Sequence, residues 1–152
     1  MNNQVQAELK KIFNGRFSTS ESTRANYARG EDTYDPVLSK AVVFPETNEE
    51  VSKILSLCNE HKIPVVPFGT GTSLEGNVVG NDKGITISLE KMNKILSVNA
   101  EDFDCRVQAC VTKEQLNEYL REDGVFFPID PGANAAIGGM ASTSASGTMA
   151  VK

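Results

Sequence analysis

Apolar positions along the 152-residue chain fall into short runs separated by polar turns. Val51, Ile54, Leu55 and Cys58 recur at the spacing of one helix face, and Thr47 with Glu50 has the form of a capping box. Together they predict a helix over about residues 48–61. His61 and Lys62 fall in its last turn, where positive charge suits the carbonyl end, and Pro64 stops it. Apolar runs at 41–44 and 64–67 flank this helix, giving the strand, helix, strand order of a right-handed parallel crossover. Short strands are predicted around 84–89, 95–98 and 103–110, separated by turn residues such as Asn81-Asp82, and their succession predicts antiparallel pairing. Phe103, Cys105, Val107 and Ala109 alternate along the last of these and predict an apolar face. Thr112 with Gln115 forms a second capping box, for a helix through about residue 121 with Leu116, Tyr119 and Leu120 inward and Gly124 ending it. Upstream of residue 40 the pattern predicts a helix near 4–13 and an irregular acidic segment near 31–36, with no catalytic constellation.

Composition narrows the class. Hydrophobic residues make up 39% and charged residues 23%, ordinary globular usage. A chain of this length buries roughly two thirds of its unfolded surface, enough for a core without staples. The one long uncharged stretch holds too much Gly, Ala, Ser and Thr to span a bilayer. A net charge of -5 argues against a general nucleic-acid surface, which needs clustered basic residues, and leaves room for a small local anion site. The opening residues show neither an apolar signal region nor an Arg-rich presequence, so the expected location is cytoplasmic, with membrane association open for a full-length protein. The three cysteines have no metal-like spacing. Cys58 and Cys105 sit on predicted apolar faces and Cys110 at a strand end, so core packing is expected rather than redox chemistry.

The strongest chemical signal is PVVPFGTGTSLEGN, residues 64–77. Gly69, Gly71 and Gly76 permit a backbone that turns several N–H groups inward, and Thr70, Thr72 and Ser73 add hydroxyls, a combination suited to phosphate or pyrophosphate. Gly71 to Gly76 has the outer spacing of a Walker loop, but Asn77 and Val78 stand where Lys and Ser or Thr are required, so ATP hydrolysis is not indicated. The dinucleotide fingerprint fails because Leu74 stands where the third glycine belongs. The alternative is a surface turn rich in Gly and Thr. A second segment, FFPIDPGANAAIGGMASTSASGTMAVK, is uncharged between Pro131 and Val151. It reads either as a flexible linker or as small residues that let backbone approach a ligand closely. Two such surfaces separated by about half the chain could clamp opposite sides of one elongated ligand.

In this order and at this separation, the two segments resemble the FAD-binding domain of the FAD-linked oxidase family that includes vanillyl-alcohol oxidase. Within it the likeness is to flavin-dependent D-lactate dehydrogenases and the flavoprotein subunit of glycolate oxidase, over residues 27–152. The resemblance implies that Phe68, Gly69, Thr70, Gly71, Thr72 and Ser73 wrap the FAD pyrophosphate, with Gly76 and Asn77 closing the turn. It implies that Pro131, Gly132, Gly138, Gly139, Ser142, Ser146 and Gly147 lie along the flavin and its ribityl chain. Some relatives tether FAD through a histidine in the first loop; Thr72 stands there, so non-covalent FAD is expected. His61 lies earlier, at a predicted helix end.

The implied fold is α+β with two small lobes: a parallel βαβ lobe through the first loop, and an antiparallel lobe with the second capped helix. FAD would lie between them. Residues 1–36 are expected to form a helical and loop region, and 37–152 a FAD-binding domain truncated before its remainder and before a substrate domain. No cluster of His, Arg and carboxylates able to bind a 2-hydroxy acid and take its proton stands in the sequence. The expected function is the FAD-binding N-terminal part of an FAD-dependent oxidoreductase acting on D-lactate, glycolate or a related 2-hydroxy acid. In the parent enzyme, hydride passes to flavin N5 and electrons leave to an acceptor left unassigned. A stand-alone nucleotide- or anion-binding module, and a structural fragment without a ligand, are the competing readings.

Overall fold

The computed structural model describes residues 3–148, and two compact units divide the chain, Met1–Lys91 and Met92–Lys152. In the first unit the order is α1 (Asn3–Ile12), β1 (Phe17–Ser18), α2 (Glu21–Asn26), β2 (Val42–Val43), α3 (Asn48–Glu60), β3 (Val65–Phe68) and β4 (Ile85–Ser88). The four strands form one sheet in the order β1-β2-β4-β3. β1 is antiparallel to β2, whereas β4 runs parallel to both β2 and β3, with Val42 opposite Thr86 and Phe68 opposite Ser88.

The antiparallel expectation for residues 84–89 is therefore corrected: this segment is an inner strand of a largely parallel sheet. Every residue of β4 is buried, as an inner strand with both faces covered requires. Thr86 is accommodated because its Oγ1 donates to Ser39 Oγ at 2.8 Å. The return from β3 to β4 runs through residues 69–84 without a helix, so the usual signal of a parallel crossover is missing.

The helix expected over 48–61 forms as α3. Thr47 Oγ1 accepts from the Glu50 amide at 3.2 Å, and His61 occupies the C-cap, its amide donating to the Leu57 carbonyl. Lys62 takes a left-handed φ of 52°, closing the helix end through an Ile63 amide to Cys58 carbonyl bond of 2.8 Å. The apolar face is narrower than its spacing predicts: Ile54 and Cys58 are buried, whereas Leu55 stays 45% exposed. Burial pushes the Cys58 thiol above its ordinary value, consistent with core packing.

Residues 3–13 share this core. Val5, Leu9 and Phe13 pack in one cluster with Ala41, Val43, Ile54, Cys58, Ile63, Ile85 and Ile87. The chain then turns, and Arg16 donates two 2.6 Å hydrogen bonds to the Glu50 carboxylate and a third, of 3.2 Å, to the Phe44 carbonyl. Glu50 also accepts from the Glu46 amide at 2.7 Å. The carboxylate thus joins Arg16 and the turn at Glu46 to the start of α3, while Arg16 itself reaches the residue that follows β2.

The second unit contains β5 (Ile95–Asn99), β6 (Asp104–Val107), α4 (Lys113–Leu120) and α5 (Ile137–Ser142). β5 and β6 pair antiparallel as expected, with an irregularity between Ile95 and Ser97. Val111, Leu116 and Leu120 form the core, packed by Ile95, Val98, Val107, Val125, Phe127 and Ile137. Three inward expectations are corrected: Phe103 is 85% exposed, Tyr119 is 60% exposed, and Cys105 is exposed. Phe103 ends the turn between β5 and β6 at a left-handed φ of 55°, so it stands outside the strand's two-residue alternation. Tyr119 lies beside the i, i+4 stripe of Leu116 and Leu120 rather than on it. Cys110 is buried, and Gly124, at φ 70°, follows a short turn that extends α4. No helix among the described residues is long and apolar enough to cross a membrane.

The Arg16 hydrogen bonds hold the Glu50 carboxyl at about 2, against an ordinary value of 4.5, with partial burial opposing them. Because the folded value is the lower one, the stabilisation is complete above about pH 4.5 and is lost as pH falls towards about 2. Glu50→Gln should lower the unfolding free energy by about 2 kcal/mol at pH 7 and by progressively less below pH 4. Urea titrations of both proteins at several pH values check this; a pH-independent difference would assign the effect to something other than the ion pair.

Candidate functional site

The glycine-rich loop begins where β3 ends. Phe68 is buried, its ring edge-on to Tyr27 with centroids 5.0 Å apart. Tyr27 also packs on Phe44 at 5.6 Å, and its hydroxyl donates to Glu90 at 2.6 Å. An aromatic cluster thus fixes the point at which the chain leaves the sheet. Gly71 and Gly76 follow at φ 76° and 72°, backbone conformations that L residues adopt only with strain. Space is also short: a Cβ on Gly71 would lie 2.8 Å from the Phe68 ring, and one on Gly76 would lie 2.8 Å from the Tyr34 ring.

Polar groups in the loop are available in an unusual way. Among the described residues, no amide from Thr70 to Asn77 donates to a protein acceptor. The Thr70 and Thr72 hydroxyls lie 3.3 Å apart, and Ser73 Oγ donates to Asn77 Oδ1. Residues 68–77 contain no Lys or Arg. An anion held here is held by amide dipoles and hydroxyls rather than by a cationic side chain, which suits the nests that bind phosphate groups. These residues fit a pyrophosphate. At the same end of the sheet Ser88, opposite Phe68 in β4, has a buried hydroxyl with no partner among the described residues. Ligands of parallel sheets gather at the carboxyl ends of strands.

The second segment belongs to the second unit and is described by itself. Asp130 anchors it: Lys113 Nζ donates to Asp130 Oδ1 at 2.8 Å, the Gly132 amide donates to the same oxygen at 3.1 Å, and the Thr148 amide donates to the Asp130 carbonyl at 3.3 Å. Gly147 is pressed onto this point, since a Cβ there would fall 1.8 Å from the Asp130 carbonyl oxygen. Gly138 is equally committed, with a Cβ position 2.8 Å from Ala109 and its amide donating to the Ala109 carbonyl at 2.8 Å. Ser142 Oγ donates to the Gly138 carbonyl at 2.8 Å. Gly132, at φ 90°, and Gly139 have open space where a Cβ would stand, and Pro131 and Ser146 are exposed. The last residues of the segment, 149–152, lie outside the described residues.

Sequence reasoning missed the residues that hold the first loop from outside it. Tyr27, Gly30, Asp32 and Tyr34 lie between β1 and β2; Asp32 and Tyr34 fall in the segment read as irregular, and no hydrophobic period marks any of the four. The only local signals are the isolated glycine and an Asp two residues later, a pattern that favours an Asx turn.

Comparison with known proteins gives the family and the fold. A family model described as "FAD binding domain" matches residues 39–152. The chain is 44% identical over 135 residues to "Probable D-lactate dehydrogenase, mitochondrial" of Danio rerio, covering 89% of this chain and 27% of that protein. It is 30% identical over 138 residues to "Glycolate oxidase subunit GlcD" of Bacillus subtilis, covering 90% of this chain and 29% of that one. A solved structure of alkyldihydroxyacetonephosphate synthase superposes with a TM-score of 0.87 over 99% of this chain and 31% of its own, at 20% identity, a likeness of fold. The chain therefore spans between a quarter and a third of the length of these proteins.

Lys113 and the Gly132 amide hold the Asp130 carboxyl below its ordinary range. Its hold on the turn is accordingly complete at neutral pH and is lost as acid protonates it. Lys113→Met should speed hydrogen exchange at the Gly132 amide roughly threefold at neutral pH. NMR exchange rates check this; equal rates would remove the ion pair as an anchor of the segment.

Proposed function

This chain belongs to the FAD binding domain family, and we propose that it is the FAD-holding part of a larger flavoprotein that oxidises a small 2-hydroxy acid such as D-lactate or glycolate. The substrate class is supported by relatives named D-lactate dehydrogenase and glycolate oxidase subunit. The observation that carries the site assignment is the run of amides from Thr70 to Asn77 without acceptors among the described residues. In this reading residues 37–152 are an incomplete FAD-binding domain. Residues 1–36 precede it, and those of α1 share its first core.

FAD, when bound, supplies the acceptor for the hydride of the substrate carbon. This chain's residues position it. The amides of residues 70–77 and the hydroxyls of Thr70 and Thr72 would hold the pyrophosphate, with Ser73 Oγ bonded to Asn77 Oδ1 within the loop, and Gly71 and Gly76 give the backbone the turn that brings those amides round. Gly132, Gly139, Pro131 and Ser146 are the open members of the second segment and would hold the flavin and its ribityl chain. Gly138, Ser142 and Gly147 act by fixing the backbone between them. Retention is non-covalent, since Thr72 offers no ring nitrogen and His61 caps α3. The groups that take the substrate proton belong to the remainder of the protein. The sequence expectation for location is cytoplasmic, whereas the zebrafish relative is named as mitochondrial; fractionation of the source cells decides between them.

A visible spectrum of the purified protein after incubation with FAD and desalting should show a flavin band that acid precipitation releases into the supernatant. A band that stays with the precipitate would overturn non-covalent binding. Gly139→Ala gives the sharper test of the second segment. Gly139 lies in α5 with nothing within 4 Å of a Cβ, so alanine there should raise helix stability by up to about 1 kcal/mol. A loss of FAD affinity in a variant that melts no lower reports ligand contact. Unchanged affinity would remove Gly139 from the site. In the first loop Gly71→Val should weaken FAD binding at least about tenfold, from the positive φ and the Phe68 ring together. Titration by flavin fluorescence measures it, and wild-type affinity would exclude Gly71.

A further inference from the structure

Residues 28–37 form a strap against the glycine-rich loop, and its contacts are made almost wholly by backbone. The Glu31 amide donates to the Gly71 carbonyl at 2.9 Å, and the Gly80 amide donates to the Ala28 carbonyl at 2.9 Å. Between these bonds Gly30 lies so close that a Cβ would fall 2.5 Å from the Gly71 carbonyl oxygen, 2.8 Å from Val78 Cγ2 and 3.0 Å from the Ser73 carbonyl oxygen. Gly30 has no positive φ, so glycine is required there by space alone. The strap is held in shape by Asp32, a buried carboxylate. Its Oδ2 accepts from the Gly30 amide at 3.1 Å and its Oδ1 from the Tyr34 amide at 3.0 Å. The Tyr34 ring then lies against Gly76 at the far side of the loop.

These contacts settle which way two peptide groups face. In a planar trans peptide the carbonyl and the N–H of one unit point in opposite directions. The Gly71 carbonyl is taken by the Glu31 amide, so the Thr72 N–H faces away from the strap. The Ser73 carbonyl faces Gly30, so the Leu74 N–H also faces away. Both N–H groups belong to the run that has no acceptor among the described residues.

We propose that Gly30, Glu31 and Asp32 are positioning residues that orient the Thr72 and Leu74 amides towards the diphosphate of a dinucleotide. The inference rests on the cofactor reading given above and adds to it the element that pre-organises the loop. The Asp32 carboxylate acts at one remove: it fixes the strap, the strap bonds the Gly71 carbonyl through the Glu31 amide and packs Gly30 against the Ser73 carbonyl, and those contacts aim two amides. Pre-organisation of this kind appears as affinity, because the loop is not ordered at the ligand's expense.

The test uses Gly30→Ala, Asp32→Ala and Asp32→Asn. The last keeps the size of the side chain and one of its two acceptor oxygens, so it remains informative where Gly30→Ala fails to fold. Two readouts are taken: hydrogen exchange of residues 69–78 in ligand-free protein, and affinities for FAD, ADP and riboflavin. Gly30→Ala and Asp32→Ala should raise exchange in the loop and weaken FAD and ADP by the same factor, about tenfold, with riboflavin unchanged. Asp32→Asn should fall between these variants and the unsubstituted protein. Unchanged exchange in the loop would overturn the strap's role, and so would an equal loss for all three ligands, which reports general loosening. Faster exchange with FAD affinity unchanged would instead overturn the assignment of the loop to the pyrophosphate.

Discussion

The first unit depends on the place of β4 between β2 and β3. Because β4 runs parallel to both neighbours, the chain that leaves the carboxyl end of β3 must travel back the length of the sheet before β4 can begin. It does so through residues 69–84 with no helix to cover the distance. A segment of that kind would leave many backbone groups unsatisfied if it were simply buried. Here part of it is satisfied by the strap, part by its own turns, and among the described residues the stretch from Thr70 to Asn77 keeps its amides unused. The topology thus creates the feature on which the functional reading rests. Gly84 completes the return: a Cβ there would lie 2.3 Å from the Pro64 carbonyl oxygen, so the chain re-enters the sheet directly against the segment that leads into β3.

What was legible in the sequence was mostly local. Both Thr caps hold, because an N-cap hydroxyl and an amide three residues on satisfy each other without tertiary help. The reciprocal half of the second box does not form: Gln115 Nε2 donates to the Asn93 carbonyl at 2.8 Å instead, tying α4 to the chain ahead of β5. The β5–β6 hairpin was legible because its strands are neighbours along the chain. The position of β4 was not, since it inserts between β2 and β3 and nothing within its own four residues marks those partners. Phe103 shows the limit of alternation as a signal: one left-handed residue at a turn displaced the pattern by which its side chain was placed inside.

The site divides in the same way. The loop after β3 was readable because glycine and hydroxyl residues crowd into one short stretch, and the chemistry of amides and hydroxyls towards anions needs nothing distant. The strap was not readable, because its contribution is a set of backbone contacts between segments some forty residues apart along the chain. A single glycine within a polar stretch carries no mark of the carbonyl it must admit.

Apart from the positive-φ turns at Gly71 and Gly76, glycine has two meanings in this protein, and composition does not separate them. At Gly30, Gly80, Gly84, Gly138 and Gly147 the missing Cβ is taken up by the protein's own backbone. At Gly132 and Gly139 the space beside the backbone is open. Only the second kind leaves room for another molecule, so the richness in small residues of residues 131–147 overstates the surface available to a ligand. The same distinction strengthens the site. A glycine committed to packing holds its neighbours' amides and carbonyls at fixed angles, and an open glycine beside it gains a defined backbone instead of a flexible one. Gly138 packed on Ala109 with Gly139 open next to it in α5 is that arrangement in two residues. A run of glycine, alanine and serine that composition alone would allow to be a linker is in this way held as a surface.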